Sequence, residues 1–200
     1  MICAIVFAAG HSRRMGTQKL LLPWKNKTVI AQVVDEILAS VLQKTFVVVG
    51  PDGEVEKALV GRNVTFVTNP KANTEMLESL RCGLRLLPDE CEAALAALGD
   101  QPLIPAALIN DLTAAFRKTG RGIVLPSFHG QRGHPMLFSM RFREELLCNF
   151  DDVGLKGLRA HHPSEVFEVP VSSPRVFDDI DTPEDYERLR SLQFSPTSGE

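Results

Sequence analysis

Several features are scarce in this 200-residue chain, and each scarcity removes a class of function. There is no basic excess: 22 Lys and Arg face 25 Asp and Glu, a formal charge of −3, so a chain-wide nucleic-acid footprint is missing. No apolar run approaches the roughly 20 residues that cross a membrane. The apolar start MICAIVFAAG has no basic residues before it and stops at glycine, unlike a signal peptide. Cys3, Cys82, Cys91 and Cys148 form no CxxC and no Cys/His pair at zinc spacing, which reads as reduced thiols in a cytoplasmic protein. His161 and His162 are adjacent and would diverge on a helix, so they make a poor metal pair. Aromatics are 6%, and the N-terminal basic cluster lacks the interleaved rings on which single strands stack. Internal repeats and inter-domain linkers are missing too.

What remains is ordinary globular composition, 44% hydrophobic and 24% charged. A chain of this length buries roughly 70% of its unfolded surface as one domain, without disulfides or metal. Residues 1–194 are expected to form that domain, with 195–200 (SPTSGE) as a disordered tail. Apolar runs at 2–8, 46–50, 64–68, 93–98, 122–126, 135–139 and 165–170 read as strands. Helical spacing recurs at 28–42, 54–60, 75–87, 105–118, 141–149, 155–161 and from Pro183. This alternation predicts an α/β, Rossmann-like, doubly wound, mostly parallel sheet. A Gly-rich hairpin at 127–134 is expected to add a small mixed β insertion on its edge.

The small net charge hides an asymmetry. Residues 1–34 carry Arg13, Arg14, Lys19, Lys25 and Lys27 and no acid, whereas 151–200 carry eleven acids against five bases. The basic cluster sits after the first strand, where open parallel sheets bind ligands. Phe7-Ala8-Ala9-Gly10-His11-Ser12-Arg13-Arg14-Met15-Gly16-Thr17-Gln18-Lys19 is a small-residue turn with three cations. Exposed backbone N–H groups and cations of this kind suit phosphate oxygens. Neither standard phosphate loop fits, since five residues separate the two glycines, Lys19 follows three later, and G-x-G-x-x-G is missing. Later, GDQP at 99–102 places Asp100 at a strand's carboxyl end, where it can hold a divalent cation or start a turn. Asp178-Asp179-Ile180-Asp181-Thr182-Pro183-Glu184-Asp185 opens the last helix, with Thr182 or Asp181 able to cap it.

AAGHSRRMGTQKLLLPW resembles the signature of the molybdenum cofactor nucleotidyltransferases, roughly [LT]-A-[AG]-G-x-[SA]-x-R-M-G-x-x-K. These belong to a larger nucleotidyltransferase fold that includes sugar-phosphate uridylyltransferases. Phe7 departs from the pattern, where Leu is usual. The resemblance implies that Ala8, Ala9, Gly10, Arg14 and Lys19 hold a nucleoside triphosphate, with Arg14, Lys19 and Asp100 catalytic. It implies magnesium on Asp100 and Asp181; Asp179 is read as supporting the turn. It places Asn69 and Ser79 in the base-pocket region, where the family's Gly-Met is replaced by Glu75-Met76. Arg132 and His134, in an R-G-H-P stretch, are expected to face the acceptor.

Two features favour cytidine over guanosine. The guanylyl branch usually has Gly-Gly in its first motif and an acid before the lysine; here they are Ala8-Ala9-Gly10 and Gln18-Lys19. The resemblance therefore implies a cytidylyltransferase that joins CMP from CTP to molybdenum-molybdopterin. An apoenzyme of the xanthine dehydrogenase type would receive the product. A guanylyltransferase, a transferase for another small phosphorylated acceptor, and a non-catalytic cofactor chaperone are the alternatives.

Overall fold

The computed structural model describes residues 1–10, 18–71, 76–151 and 153–192. Their order is β1 (Ile2–Ala8), a short hairpin of β2 (Pro23–Trp24) and β3 (Lys27–Thr28), α1 (Val29–Leu38), β4 (Lys44–Val49), α2 (Glu54–Ala58), β5 (Thr65–Thr68) and α3 (Met76–Leu86). There follow β6 (Ala93–Leu98), α4 (Ala106–Thr119), β7 (Ile123–Phe128), β8 (Gln131–Arg132), β9 (Met136–Ser139), α5 (Arg143–Cys148), α6 (Leu155–His161), β10 (Val166–Pro170) and α7 (Pro183–Leu192). The expected tail at 195–200 lies outside the described residues.

The central sheet runs β10-β7-β9-β6-β1-β4-β5, with β8 paired to β7. β6, β1, β4 and β5 are parallel neighbours, as are β7 and β10. A mostly parallel α/β sheet is thus observed, with one correction: the antiparallel strand is not at the edge. β9 lies inside the sheet, antiparallel to both β6 and β7, and of the two antiparallel strands β8 is the peripheral one. Met136, Leu137 and Phe138 are all buried, as an interior strand between two layers requires. The hairpin of β2 and β3 had no expectation, because two-residue strands carry no readable period.

Both faces of the sheet are covered. Along β1, Ile2, Ala4, Val6 and Ala8 pack with Ile30 and Val34 of α1 and Ile109 and Leu112 of α4. Cys3 and Ile5 point the other way, toward Leu80 and Leu84 of α3, Leu146 of α5 and Leu158 of α6. Alternation with period two thus serves two cores, so the strand reads as a continuous apolar run. A third, smaller cluster joins Trp24, Val29, Ile180, Tyr186 and Leu189, tying α7 to the β2–β3 hairpin.

Helix ends follow local chemistry. Thr28 caps α1 by accepting from Ala31 N at 3.3 Å. That helix stops at Leu38, short of the expected 42, where Ser40 Oγ donates to Ile37 O. A side chain competing for the last carbonyls favours termination. Asp35, on the outer face of α1, accepts from Arg62 Nε at 2.6 Å and Lys27 Nζ at 2.7 Å. Burial pushes its pKa up, but these two cations outweigh that and hold it below the usual aspartate value.

A folded-state pKa below the unfolded value of about 3.9 makes this contribution complete above that pH, and it is lost as pH falls through the folded value. Urea unfolding from pH 6 to 3 is expected to show Asp35→Asn less stable than wild type at pH 6, with the gap closing below about pH 4. A gap independent of pH would refute the assignment.

Candidate active site

The carboxyl ends of β1, β5 and β6 meet on one edge of the sheet, where parallel folds bind ligands. β1 ends into Ala9 and Gly10, β6 into Gly99 and Asp100, and β5 into Asn69. Gly99 N donates to Phe7 O at 3.1 Å, locking the two central strand ends together. A Cβ at Gly99 would stand 2.7 Å from that same oxygen and 3.0 Å from Ile30 Cδ1, so only glycine fits. Beside these ends lies a cavity of about 230 Å³, walled by Ala9, Gly10, Lys19, Met76, Ser79 and Asp100 among others.

Lys19 is the electrostatic centre. Its Nζ donates to Asp100 Oδ2 at 2.6 Å and to Asp181 Oδ1 at 2.8 Å. Burial pushes the ammonium's pKa down, and the two carboxylates more than reverse it, so Lys19 stays protonated well beyond neutral pH. The other oxygen of Asp100, Oδ1, is buried without a hydrogen-bond partner. Asp179 is the third carboxyl of the group. Desolvation first, then the charges of Asp181 and Asp100, push its pKa up. Its electrostatic part in the site goes beyond the turn role read from the sequence.

Asp181 reaches this centre because the C-terminal arm is fastened on both sides. Ile180 N donates to Asp100 O at 3.1 Å, directly behind the β6 carboxylate. Tyr186 Oη donates to Pro23 O at 2.6 Å, and Leu189 is fully buried beneath it. The cap of α7 is Thr182, not Asp181. Thr182 Oγ1 accepts from Asp185 N at 3.1 Å, while Asp185 Oδ2 accepts from Thr182 N at 3.1 Å. This reciprocal capping box leaves the Asp181 carboxylate available to Lys19.

The other expected residues divide into groups. Ala8 is buried in the core and Ala9 lines the cavity, as does Gly10, which is exposed and has no described atom within 4 Å of where a Cβ would sit. Arg14 and Glu75 lie outside the described residues. Ser79 lines the cavity, and Asn69 stands behind it, its Nδ2 donating to Ser79 Oγ at 3.1 Å. Arg132 and His134 do not line the Lys19 cavity; they wall neighbouring ones. His134 Nδ1 is buried and unpartnered, and burial holds the imidazole below its ordinary pKa, against a hydrogen bond the ring donates to the Ala96 backbone carbonyl. The apolar walls Met76, Leu20 and Leu98 had no sequence signal separating them from core.

Over residues 4–166 the sequence matches the MobA-like NTP transferase domain. The chain belongs to this family. Membership makes it a nucleotidyltransferase, as the residue 7–19 signature implied. Molybdenum cofactor cytidylyltransferase of Escherichia coli (strain K12) is 25% identical over 187 residues, covering 92% of this chain and 93% of the relative. Molybdenum cofactor guanylyltransferase of Mesorhizobium japonicum is 30% identical over 141 residues, covering 67% and 64%. The structure of Rv0371c from Mycobacterium tuberculosis H37Rv in complex with manganese superimposes with a TM-score of 0.80 at 26% identity, covering 95% of this chain and 98% of that one. No helix among the described residues is long and apolar enough to cross a membrane.

Gly99→Ala is expected to lose about 1–3 kcal/mol of stability in urea unfolding, the usual consequence of overpacking. Wild-type stability in that variant would show that the strand ends have room to separate.

Proposed function

We propose that the chain transfers CMP from CTP to the phosphate of molybdenum-molybdopterin, releasing pyrophosphate, with magnesium as the metal. The observation that carries nucleotidyl transfer is the Lys19–Asp100–Asp181 constellation at the mouth of a ligand-sized cavity. The cytidine reading rests on the Escherichia coli relative, which aligns over nearly the whole chain, and on Ala8-Ala9-Gly10 and Gln18-Lys19.

The donor set fits magnesium. Asp100 and Asp181 are hard oxygen ligands sharing one cationic partner, and the buried Asp100 Oδ1 lacks any partner. An unsatisfied buried carboxylate oxygen is costly, and a cation satisfies it. Magnesium typically takes one or two carboxylates and completes its shell with phosphate oxygens and water. When bound, it supplies neutralisation of charge on the transferring phosphates.

The chain's own residues do the positioning. Lys19, held protonated, offers its ammonium to phosphate oxygens beside Gly10, whose missing side chain admits close approach of the backbone. Asn69 orients the Ser79 hydroxyl on the cavity wall. Arg14 joins the triphosphate contacts in this reading, by the signature alone. An oxygen of the acceptor phosphate attacks the α-phosphorus of CTP, and the bond to pyrophosphate breaks. The nucleophile is already an anion, so catalysis consists of alignment and charge neutralisation rather than proton removal. The cytosine dinucleotide product would pass to an apoenzyme of the xanthine dehydrogenase type.

Pyrophosphate release measured with each of the four triphosphates and molybdenum cofactor is expected to favour CTP and to stop with EDTA. GTP preference would establish the guanylyl alternative, which the Mesorhizobium japonicum relative favours. Asp100→Asn is expected to lower kcat by about 10²–10³-fold, the scale of losing one electrostatic contact to the transition state. It should also abolish the rise in Tm that magnesium gives the nucleotide-bound wild type. Cofactor maturation that stays intact in cells carrying Asp100→Asn would leave the chain as a non-catalytic cofactor carrier.

A further inference from the structure

Two motif residues have no part in the site as described. Gln101 follows Asp100 in GDQP, and Gly133 precedes His134 in the R-G-H-P stretch. Both meet at Phe177, the last residue of a short 3-10 turn, Pro174–Phe177, in the C-terminal arm.

The backbone of Gly133 does not itself require glycine, because its φ lies outside the left-handed region. The ring of Phe177 does. A Cβ at Gly133 would stand 2.2 Å from Cδ1, 2.4 Å from Cε1 and 3.0 Å from Cγ of that ring. No side chain enters there unless one partner moves. The hairpin backbone is held, with Gly133 N donating to Pro126 O at 3.1 Å, so the arm is the part that yields. Gln101 holds the arm from the other direction. It is 5% exposed and donates from Nε2 to Phe177 O at 3.4 Å. Its Oε1 is buried with no partner among the described residues, so losing Phe177 O would leave the whole amide unpaired.

Phe177 therefore touches the segments that carry both carboxylates of the site. Through Gln101 it borders Asp100, and four residues along the arm it leads to Asp181. Little of that span is slack: Asp178 accepts from Arg188 Nη1 at 3.1 Å, and Ile180 is fully buried. A shift at Phe177 is passed along the arm rather than absorbed.

We propose that Phe177, seated on Gly133 and bound to Gln101, is a positioning residue that fixes Asp181 against Asp100 and so sets the affinity of the site for a divalent cation. The inference rests on the metal reading above and extends it to residues that touch neither metal nor reacting atoms. Simple gap-filling by the ring predicts a loss of stability and no change in the metal affinity of the folded protein.

The test is titration of the full chain with Mn²⁺ alone, following the EPR signal of the free ion at a temperature where circular dichroism shows each variant folded. Asp100→Asn identifies the binding that belongs to this site. Gly133→Ala overfills the seat and Phe177→Ala empties it. Each is expected to lose about 10–100-fold in affinity, the scale of removing a group that orients a metal ligand. Gly133→Ala/Phe177→Leu refills the seat at similar total volume and is expected to recover most of the loss. Phe177→Ala introduces no clash and serves alone if Gly133→Ala does not fold. Wild-type affinity in either single variant, or a double variant no tighter than Gly133→Ala, overturns this role and leaves the metal reading standing. Mn²⁺ affinity that Asp100→Asn leaves unchanged overturns the metal reading, and this role with it.

Discussion

One ammonium between two carboxylates organises the reactive edge of this protein. Asp100 and Asp181 are close enough to share Lys19 Nζ, and without that charge they would repel each other in half-buried surroundings. Burial of Lys19 is unfavourable in itself, as the downward push on its pKa records; the attraction to two partners offsets it. The arrangement leaves one Asp100 oxygen unsatisfied, a compromise that structural ion pairs avoid and ligand sites keep.

Each member of this trio depends on a different part of the fold. Asp100 is set by β6, whose end is held against β1 through the Gly99–Phe7 contact. Lys19 opens a short 3-10 turn whose Leu20 is buried in the core. Asp181 belongs to an arm held by Ile180, Tyr186 and Leu189 against Trp24 and Val29. The site is therefore a by-product of three separate packing problems being solved at once. Its precision comes from rigid strand ends and a clamped helix, which is how positioning without a general base can suffice.

Much of the fold was legible because parallel strands buried on both sides must be continuously apolar. AALAAL at 93–98 reads as strand or helix from composition, and its place before GDQP resolves it correctly. The interior position of β9 was not legible: which strands lie beside Met136–Ser139 is a matter of long-range pairing that local pattern does not carry. The candidate site was legible as chemistry. The glycine-bracketed loop, the Asp after a buried strand and the Thr-Pro helix start each showed on their own. Whether Thr182 or Asp181 capped α7 stayed open until the reciprocal bonds with Asp185 appeared.

The sequence by itself determined the elements, their two-faced burial and the residue types suited to phosphate and metal, because these depend on neighbours within a few positions. Only the tertiary structure decided that Lys19 meets carboxylates 81 and 162 positions away. It alone brought Met76, His134 and Arg159 to the walls of adjoining cavities. Distance along a chain carries no record of distance in space once sheet order and helix packing intervene, so the wells where a ligand would lie exist only after folding.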